Sequence, residues 1–205
     1  MEILDTGLPG LVLVRARYFE DERGHFVEIF KRSSFRDAAL PHDFVQDNVS
    51  LSRQPGTLRG MHWQAPPFAQ AKLVRVGKGA VLDMVVDLRR GSPTYGQSFA
   101  VELSAANRLQ LLVPRGFAHG FLTLEPESEV IYKCDALYHA AAERGLHWAD
   151  PDLALPWPDM PEVSVVSDKD RGWPRLRDLA SPFADTPMPQ RARAGSIPAE
   201  SVASC

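Results

Sequence analysis

Apolar residues recur through the middle of the chain in short runs that glycine and proline separate. Several runs alternate apolar and polar positions, which is typical of β-strands with one buried face. The predicted strands cover residues 72–76, 80–88, 98–103, 108–113, 117–124 and 129–135. Gly77-Lys78-Gly79 and Gly91-Ser92-Pro93-Thr94 supply turns between them. Many short strands with such turns predict a mainly β fold, a sandwich or jelly roll.

Few segments show the spacing of apolar residues that is typical of a helix, and the last part of the chain differs in composition from the middle. Residues 32–40 suit a short peripheral helix. Trp148 and Trp157 flank a proline-rich stretch, and we expect their rings to pin it to the barrel. The final segment is rich in Pro, Ala, Ser and Arg and has little to bury. We therefore predict one domain over residues 1–180 and a mobile or disordered tail over residues 181–205.

Composition narrows the class of protein. The chain has 205 residues, 44% of them hydrophobic, which suits one domain with a substantial core. Its net charge of -3 gives no general attraction to nucleic acid or to an anionic membrane. The two cysteines, Cys134 and Cys205, do not make a disulfide framework, and no segment resembles a signal peptide or a membrane span. We expect a cytoplasmic protein with neither a nucleic-acid nor a membrane partner.

Histidine is the natural candidate for proton chemistry near neutral pH. His62 lies in the segment Leu-Arg-Gly-Met-His-Trp-Gln. If that segment is a strand, alternation places His62 and Gly60 on one face and Arg59 on the other. The neighbouring glycine indicates close approach by a ligand or by another backbone, while the ordinary alternative is a hydrogen-bonded structural histidine. Surface or structural roles are favoured for the histidines in polar surroundings, which are His25, His42, His139 and His147.

His119 ends the motif Pro-x-Gly-x-x-His, which matches the second sequence signature of the cupin superfamily. In that signature the Pro and Gly form a turn, and the His enters the mouth of the barrel. A typical metal-binding cupin also has two histidines separated by one residue, followed by a glutamate. Here His62 is followed by Trp63 and Gln64, so a metal ion would have too few ligands. We therefore expect no metal site and no other cofactor.

The local sequence does not decide the roles of three further polar residues. Asp83 lies in an apolar strand, where a carboxylate needs a partner, and we favour a supporting role in which it orients His119. Lys72 either faces solvent or, inside a barrel, presents its charge to a developing anion. Tyr132 shares a strand face with Val130, and the ordinary interpretation is a core tyrosine with one satisfied hydroxyl.

Seven motifs follow one another along the chain: Gln46-Asp47-Asn48, Leu58-Arg59-Gly60-Met61-His62-Trp63-Gln64, Ala71-Lys72-Leu73-Val74-Arg75-Val76, Val86-Asp87-Leu88-Arg89, Gly91-Ser92-Pro93-Thr94-Tyr95-Gly96, Pro114-Arg115-Gly116-Phe117-Ala118-His119-Gly120-Phe121 and Ser167-Asp168-Lys169-Asp170. With these motifs in this order the chain resembles the dTDP-4-dehydrorhamnose 3,5-epimerase family, whose members act on dTDP-4-keto-6-deoxyglucose in dTDP-L-rhamnose synthesis. The match runs from about the N-terminus to Pro174. The resemblance implies a cupin-type jelly-roll β-barrel with short peripheral helices that forms homodimers, binds a dTDP-sugar and needs no metal.

The resemblance also implies roles at matching positions. His62 resembles the catalytic base, and Asp170 resembles the carboxylate that orients and polarises it. Tyr132 resembles the acid on the opposite face of the sugar, and Lys72 the stabiliser of the enolate oxygen. Contacts to the sugar and pyrophosphate are implied for Arg59, His119, Glu143 and Lys169. Contacts to the nucleotide, some across a dimer interface, are implied for Arg23, Glu28, Gln46 and Asn48, and Tyr138 is a further substrate-binding candidate.

Two features depart from the family's usual pattern. Asp135-Ala136-Leu137 precedes Tyr138 where the family more often has an aromatic residue, and Trp63 stands where Tyr or Phe is more common. Both bear on sugar packing and hence on which carbons are inverted. We predict inversion at C3 and C5 through an enolate. The alternatives are an enzyme that inverts only one of these carbons, a cupin that moves the carbonyl between C3 and C4, and a non-catalytic sugar-binding cupin.

Overall fold

Residues 1–158, 165–180 and 183 are described in a computed structural model of the chain. Within them the chain forms fourteen strands and two short α-helices. The strands are β1 (Glu2–Asp5), β2 (Val12–Arg15), β3 (Tyr18–Asp21), β4 (Gly24–Val27), β5 (Gln46–Ser52), β6 (Thr57–Gln64), β7 (Lys72–Lys78), β8 (Ala80–Asp87), β9 (Ser98–Ser104), β10 (Leu109–Val113), β11 (Phe117–Thr123), β12 (Ser128–Cys134), β13 (Glu143–Gly145) and β14 (Val165–Val166). The helices are α1 (Arg32–Asp37) and α2 (Asp168–Arg171), and short 3-10 turns cover Ala140–Ala142 and Leu176–Asp178.

Two sheets face each other to form the barrel. The strand order is β1-β2-β10-β7-β12-β5 in the first sheet and β13-β6-β11-β8-β9 in the second. β14 extends the second sheet by pairing with β6 in parallel, whereas β3 and β4 form a separate antiparallel hairpin. The mainly β prediction is therefore confirmed.

A hydrophobic cluster to which both sheets contribute fills the space between them. Val74 on β7 and Leu111 on β10 meet Val85 on β8 and Phe121 on β11 in this cluster. The other face of β8 belongs to a second cluster, through Leu82, Met84 and Val86. β8 is thus buried on both faces, which accounts for its nearly continuous apolar sequence. Truncating such a packed side chain to alanine costs roughly 2–5 kcal/mol.

The strands predicted for the middle of the chain are all present, with ends that differ by at most two residues. The predicted helix over residues 32–40 is α1, but it ends at Asp37. It stops early because Ala39 takes a left-handed φ of 56°, after which the Leu40 N–H closes the turn on the Phe35 carbonyl. The pattern does not predict β1 to β5 or α2, since short, partly exposed strands and a one-turn helix carry little hydrophobic periodicity.

The two tryptophans fasten the stretch that follows the barrel, as expected. Trp148 and Trp157 pack against Leu58, and the Trp157 Nε1–H donates to the Trp148 carbonyl at 2.8 Å. The predicted tail over residues 181–205 lies outside the described residues except for Phe183, whose side chain is buried in the cluster on the outer face of β8. In the described part of the chain, every helix is too short or too polar to cross a bilayer.

Candidate functional site

A cavity of about 550 Å³ lies between the two sheets, and most of the predicted site residues line it. Those residues are Arg59, His62, Lys72, His119, Tyr132, Glu143, Lys169 and Asp170. An adjoining chamber of about 230 Å³ shares part of that lining and adds Gln46, Asn48 and Tyr138. The sequence-predicted residues are thus brought to one cleft from both sheets and from α2.

A bulge in β6 decides which of its side chains face this cavity. His119 on β11 pairs with His62, but Phe121, two residues further along β11, pairs with Arg59, three residues back along β6. The extra residue in β6 interrupts strict alternation. Arg59 and His62 therefore both line the cavity, and the predicted placement of Arg59 on the opposite face is wrong.

Gly60 is required by backbone packing rather than by a ligand. A Cβ on Gly60 would lie 2.5 Å from the Cα of Gly120 on β11, and Gly60 has a φ of +137°. A Cβ on Gly120 would in turn lie 2.8 Å from the Arg59 carbonyl oxygen. Only glycine fits both positions, because any side chain would force the two strands apart. The close approach of the strands helps to hold His62 beside His119.

Asp170 reaches His62 from α2. The helix is capped by Ser167, whose Oγ accepts from the Asp170 N–H at 3.1 Å. Oδ1 of Asp170 lies 2.5 Å from Nε2 of His62, and the Gly60 N–H donates to Oδ2 at 3.5 Å. Burial raises the pKa of Asp170, but the hydrogen bond and charge of His62, together with the bonds from Ser167 and Gly60, outweigh burial and lower the pKa below its ordinary value. An ionised carboxylate therefore stands against the imidazole.

Lys72 and Tyr132 enter the cavity from neighbouring strands of the first sheet, facing His62 on the second. Removal from water lowers the pKa of Lys72 below its usual range, although nearby acidic groups oppose the shift. Burial likewise raises the pKa of Tyr132. Among the described residues, none forms a hydrogen bond with the Tyr132 hydroxyl. Lys72 thus faces the cavity rather than open solvent, and Tyr132 is not a core tyrosine with a satisfied hydroxyl.

His119 and Asp83 form a second histidine–carboxylate pair beside the first. Both Asp83 oxygens lie 3.0 Å from Nε2 of His119, and neither side chain is more than 8% exposed. Asp83 projects into the barrel from β8, so the buried carboxylate has the partner that the sequence favours. The pair presents a ring of fixed orientation to the cavity next to His62.

Glu143 connects the mouth of the cavity to α2. Its Oε1 accepts from the Lys169 ammonium at 2.8 Å, and its Oε2 accepts from the Tyr138 hydroxyl at 3.0 Å. Burial raises the pKa of Glu143, but these two bonds and the charge of Lys169 outweigh burial and lower it. The hydrogen bond to Glu143 raises the pKa of Lys169 and that of Tyr138. Three predicted contact residues thus form one charged cluster at the rim.

Glutamine side chains hold the loop that carries Tyr138. The Tyr138 N–H donates to Oε1 of Gln46 at 2.9 Å, and the N–H of the following residue donates to Oε1 of Gln64 at 3.0 Å. The Gln70 side-chain amide donates to the Ala136 carbonyl at 2.7 Å. The loop backbone is therefore fixed from three different points of the barrel. Gln70 was not a sequence candidate, because a lone glutamine between two alanines carries no motif.

The predicted nucleotide contacts divide into two groups. Gln46 and Asn48 border the smaller chamber, and the Gln46 amide donates to Asn48 at 3.0 Å. Arg23 and Glu28 do not line either chamber. Arg23 is 85% exposed and pairs with Asp21 at the tip of the β3–β4 hairpin. A single copy of the chain does not bring these two residues to the cavity, and their contacts across a dimer interface stay a prediction.

Trp173 is a site residue that the sequence does not reveal. Its Nε1–H donates to Oδ1 of Asp170 at 3.3 Å. Its ring stands edge-on to His62, with centroids 6.2 Å apart and planes at 73°. A tryptophan three residues after Asp170 belongs to no motif, so only the geometry identifies it.

The cavity is equipped for proton chemistry. A histidine–carboxylate pair, a desolvated ammonium group and a hydroxyl without a protein partner face one volume, which is the set required to remove a proton beside a carbonyl and hold the resulting charge. Among residues 1–158, 165–180 and 183, no three His, Cys, Asp or Glu side chains converge in a way that could hold a metal ion.

The part of the chain that matches known proteins includes the barrel and the residues that line its cavity. The sequence model of the dTDP-4-dehydrorhamnose 3,5-epimerase family matches residues 5–178. A dTDP-4-dehydrorhamnose 3,5-epimerase of Sinorhizobium fredii is 49% identical over 171 residues, which are 83% of this chain and 87% of that protein. The dTDP-6-deoxy-D-glucose-3,5-epimerase of Legionella pneumophila, solved in complex with dTDP-4-keto-L-rhamnose, superimposes with a TM-score of 0.83 at 39% identity, covering 94% of this chain and 99% of that one. A 3'-monoepimerase of Streptomyces bikiniensis, in complex with dTDP-quinovose, gives 0.79 at 35% identity, covering 86% and 88%. The likeness in fold confirms the predicted cupin-type jelly-roll β-barrel.

Proposed function

The chain belongs to the dTDP-4-dehydrorhamnose 3,5-epimerase family, and we propose that it inverts C3 and C5 of dTDP-4-dehydro-6-deoxy-D-glucose to give dTDP-4-dehydro-L-rhamnose. The protein is an isomerase of the epimerase type. One observation carries the proposal: the His62–Asp170 pair faces Lys72 and Tyr132 across a single cavity. The alternative of a non-catalytic sugar-binding cupin would give no reason for this arrangement.

The reaction begins with removal of a proton beside the C4 ketone. Such a proton is acidic because the carbanion delocalises onto the carbonyl oxygen. Asp170 engages Nε2 of His62, so Nδ1 is the basic nitrogen of the ring. The ordinary pKa of histidine, about 6.5, suits a base near neutral pH, and the Asp170 carboxylate stabilises the imidazolium that forms.

Lys72 holds the negative charge that develops on the enolate oxygen. Its ammonium group is removed from bulk water, and in such a site a single well-placed donor contributes roughly 3 kcal/mol to the stability of the transition state. The lowered pKa of Lys72 follows from the same desolvation, and the developing oxyanion reverses that penalty as it forms. The interaction is therefore stronger in the transition state than with the bound ketone.

Tyr132 returns a proton to the opposite side of the carbon. It projects from the first sheet, whereas His62 projects from the second, so a sugar between them is approached from two sides. Removal on one side and delivery on the other inverts the carbon. Arg59, His119 and Lys169 supply positive or donor groups for the sugar and pyrophosphate, while Glu143, Tyr138, Gln46 and Asn48 line the route to the nucleotide.

Exchange of substrate protons with solvent tests the proposal. The wild-type protein is incubated with dTDP-4-dehydro-6-deoxy-D-glucose in deuterated water, and C3 and C5 are followed by NMR. We expect deuterium at both carbons, and we expect His62→Ala to abolish incorporation while leaving the fold intact. His42→Ala is the matched control, because His42 forms a histidine–carboxylate pair with Asp43 and lines neither chamber. Exchange at the wild-type rate in His62→Ala would contradict the role of His62.

Inversion at a single carbon is the second candidate function. Its support is the likeness to the 3'-monoepimerase of Streptomyces bikiniensis. The same residues would serve, with the sugar held in a different pose. The NMR product assigns the configuration at C3 and C5 separately, so a product inverted at only one carbon selects this alternative.

We also propose that the enzyme acts as a cytoplasmic homodimer that takes a dTDP-sugar as its ligand. Support comes from the exposed positions of Arg23 and Glu28, which suit contact with a second copy better than contact with their own cavity. A dimer would bring the β3–β4 hairpin of one copy towards the nucleotide end of the other.

A further inference from the structure

Trp173 shares a hydrogen-bond acceptor with the proposed base. Oδ1 of Asp170 lies 2.5 Å from Nε2 of His62 and also accepts the Trp173 Nε1–H at 3.3 Å. Within residues 1–158, 165–180 and 183, the other carboxylate oxygen accepts the longer bond from the Gly60 N–H, at 3.5 Å. His62 and Trp173 therefore share one oxygen of the Asp170 carboxylate, which can accept from both.

The position of Trp173 is built into the fold. Gly145 on β13 pairs with His62 on β6, and a Cβ on Gly145 would overlap the indole ring. The absence of a side chain at Gly145 leaves the space in which the ring lies beside the catalytic pair. The chain that follows is held too, because the Pro174 carbonyl accepts the His147 N–H at 2.8 Å.

We propose that Trp173 is a positioning residue that sets the basicity of His62 by donating to the carboxylate oxygen on which His62 depends. The inference rests on the proposed function only in calling His62 the base. A donor to Oδ1 withdraws negative charge from the acceptor and so reduces the stabilisation that Asp170 gives to the imidazolium. Trp173 therefore holds His62 less basic than an unshared carboxylate would.

Other charged or titratable groups also line the cavity beside the His62–Asp170 pair, and each belongs to a different strand or helix. They are Arg59, Lys72, His119, Tyr132, Glu143 and Lys169. Trp173→Phe keeps all of them and keeps an aromatic ring over Gly145, but it removes the Nε1–H. A change in the titration of His62 in this variant therefore reports the lost donor rather than a lost charge.

The direction in which the pKa of His62 changes follows from the fact that His62 and Trp173 share Oδ1 of Asp170. Without the indole donor, the Asp170 carboxylate gives its full charge to His62, and the imidazolium becomes more stable. The pKa of His62 therefore rises in Trp173→Phe, because the carboxylate has lost a hydrogen bond that withdrew its charge. Because the base must be neutral to accept a proton, the acid limb of the exchange rate moves to higher pH by the same amount.

The first experiment needs no substrate. His62 is titrated by NMR of nitrogen-15-labelled full-length protein, with its signals assigned by their loss in His62→Gln. We expect a higher pKa for His62 in Trp173→Phe than in the wild type. Trp157→Phe is the matched control, since it removes an Nε1 hydrogen bond to the Trp148 carbonyl rather than to Asp170, and it should leave the titration unchanged. An unchanged or lowered pKa of His62 in Trp173→Phe overturns the inference.

The second experiment separates this inference from the proposed function. Deuterium exchange is measured against pH in wild type and Trp173→Phe, with KM determined at each pH. We expect an acid limb shifted upward at nearly unchanged KM. Exchange by the wild type without a shift in the variant overturns the role of Trp173 alone, whereas no exchange by the wild type overturns the proposed function and leaves the NMR titration to decide the role of Trp173.

Gly145→Ala is a second, independent way to remove the hydrogen bond from Trp173 to Asp170. The added methyl group overlaps the indole ring and must displace it, while the Trp173 side chain is retained. We expect the pKa of His62 to rise in this variant as it does in Trp173→Phe. A fall, or no change in a folded Gly145→Ala protein, argues against the sharing of Oδ1.

Discussion

Tyr132 and His62 differ in their hydrogen bonds to the protein, and the difference suits their proposed roles as acid and base. His62 is held by Asp170, whereas the Tyr132 hydroxyl has no partner within the described residues. Tyr132 lines the cavity, so its hydroxyl is available to a bound ligand. The raised pKa of Tyr132 keeps it protonated, as a proton donor must be.

Tyr132→Phe should therefore uncouple exchange from inversion. We expect deuterium still to enter at the carbons from which His62 removes a proton, while net inversion falls by about 10²–10⁴-fold, the usual contribution of a positioned acid. The free energy of unfolding should hardly change, because no protein hydrogen bond is lost. Product configuration by NMR is the measurement, and Tyr95→Phe, in the turn after β8, is the control. An unchanged product ratio would exclude Tyr132 as the acid.

At the scale of elements, the site depends on how one loop is tied to the barrel. The loop that carries Tyr138 is bound through its backbone by Gln46, Gln64 and Gln70. Backbone groups tied at several points lose little further entropy when a ligand binds. We infer that these glutamines hold the loop in its ligand-binding position.

Gln70→Leu tests this role of the loop. The change keeps the volume of the side chain but leaves the Ala136 carbonyl without its 2.7 Å donor. An unpaired, partly buried carbonyl costs about 1–3 kcal/mol, part of which appears as weaker binding by a displaced loop. We expect KM to rise by about tenfold, with kcat changed much less. A fall in kcat at constant KM would instead connect the loop to the chemical step.

The strands and the cavity residues differ in how well the sequence predicts them. Strands in the middle of the chain are predictable because buried alternation is a local property, and the collinear motifs locate most of the cavity lining. The β6 bulge is not predictable, since it arises from the meeting of Gly60 and Gly120 across two strands. The role of Trp173 is not predictable either, because it depends on a hydrogen bond to Asp170 that forms only in the folded chain.

At the scale of the whole molecule, exposed apolar residues occur on an edge strand and on the β3–β4 hairpin. Val49 is 64% exposed on β5, at the edge of the first sheet, and Phe26 is 70% exposed on the β3–β4 hairpin. A sheet edge with apolar side chains is a surface that proteins usually cover. Arg23 lies on the same hairpin, so a second copy that covers this surface would carry its own Arg23 towards a neighbouring cavity.

Mixed dimers test whether each cavity is completed by the partner. If His62 of one copy works with Arg23 of the other, a dimer of Arg23→Ala with His62→Ala has one intact site and one doubly defective site. Random exchange of two inactive variants in equal amounts should then restore about a quarter of wild-type activity, because half of the dimers are mixed and each has one working site. A mixture of His62→Ala with Lys72→Met is the control and should stay inactive, since both residues line the same copy's cavity and every site in the mixed dimer keeps one defect. Recovery in the first mixture alone supports a shared site. No recovery in demonstrated mixed dimers means that Arg23 serves its own copy or has no part in the site.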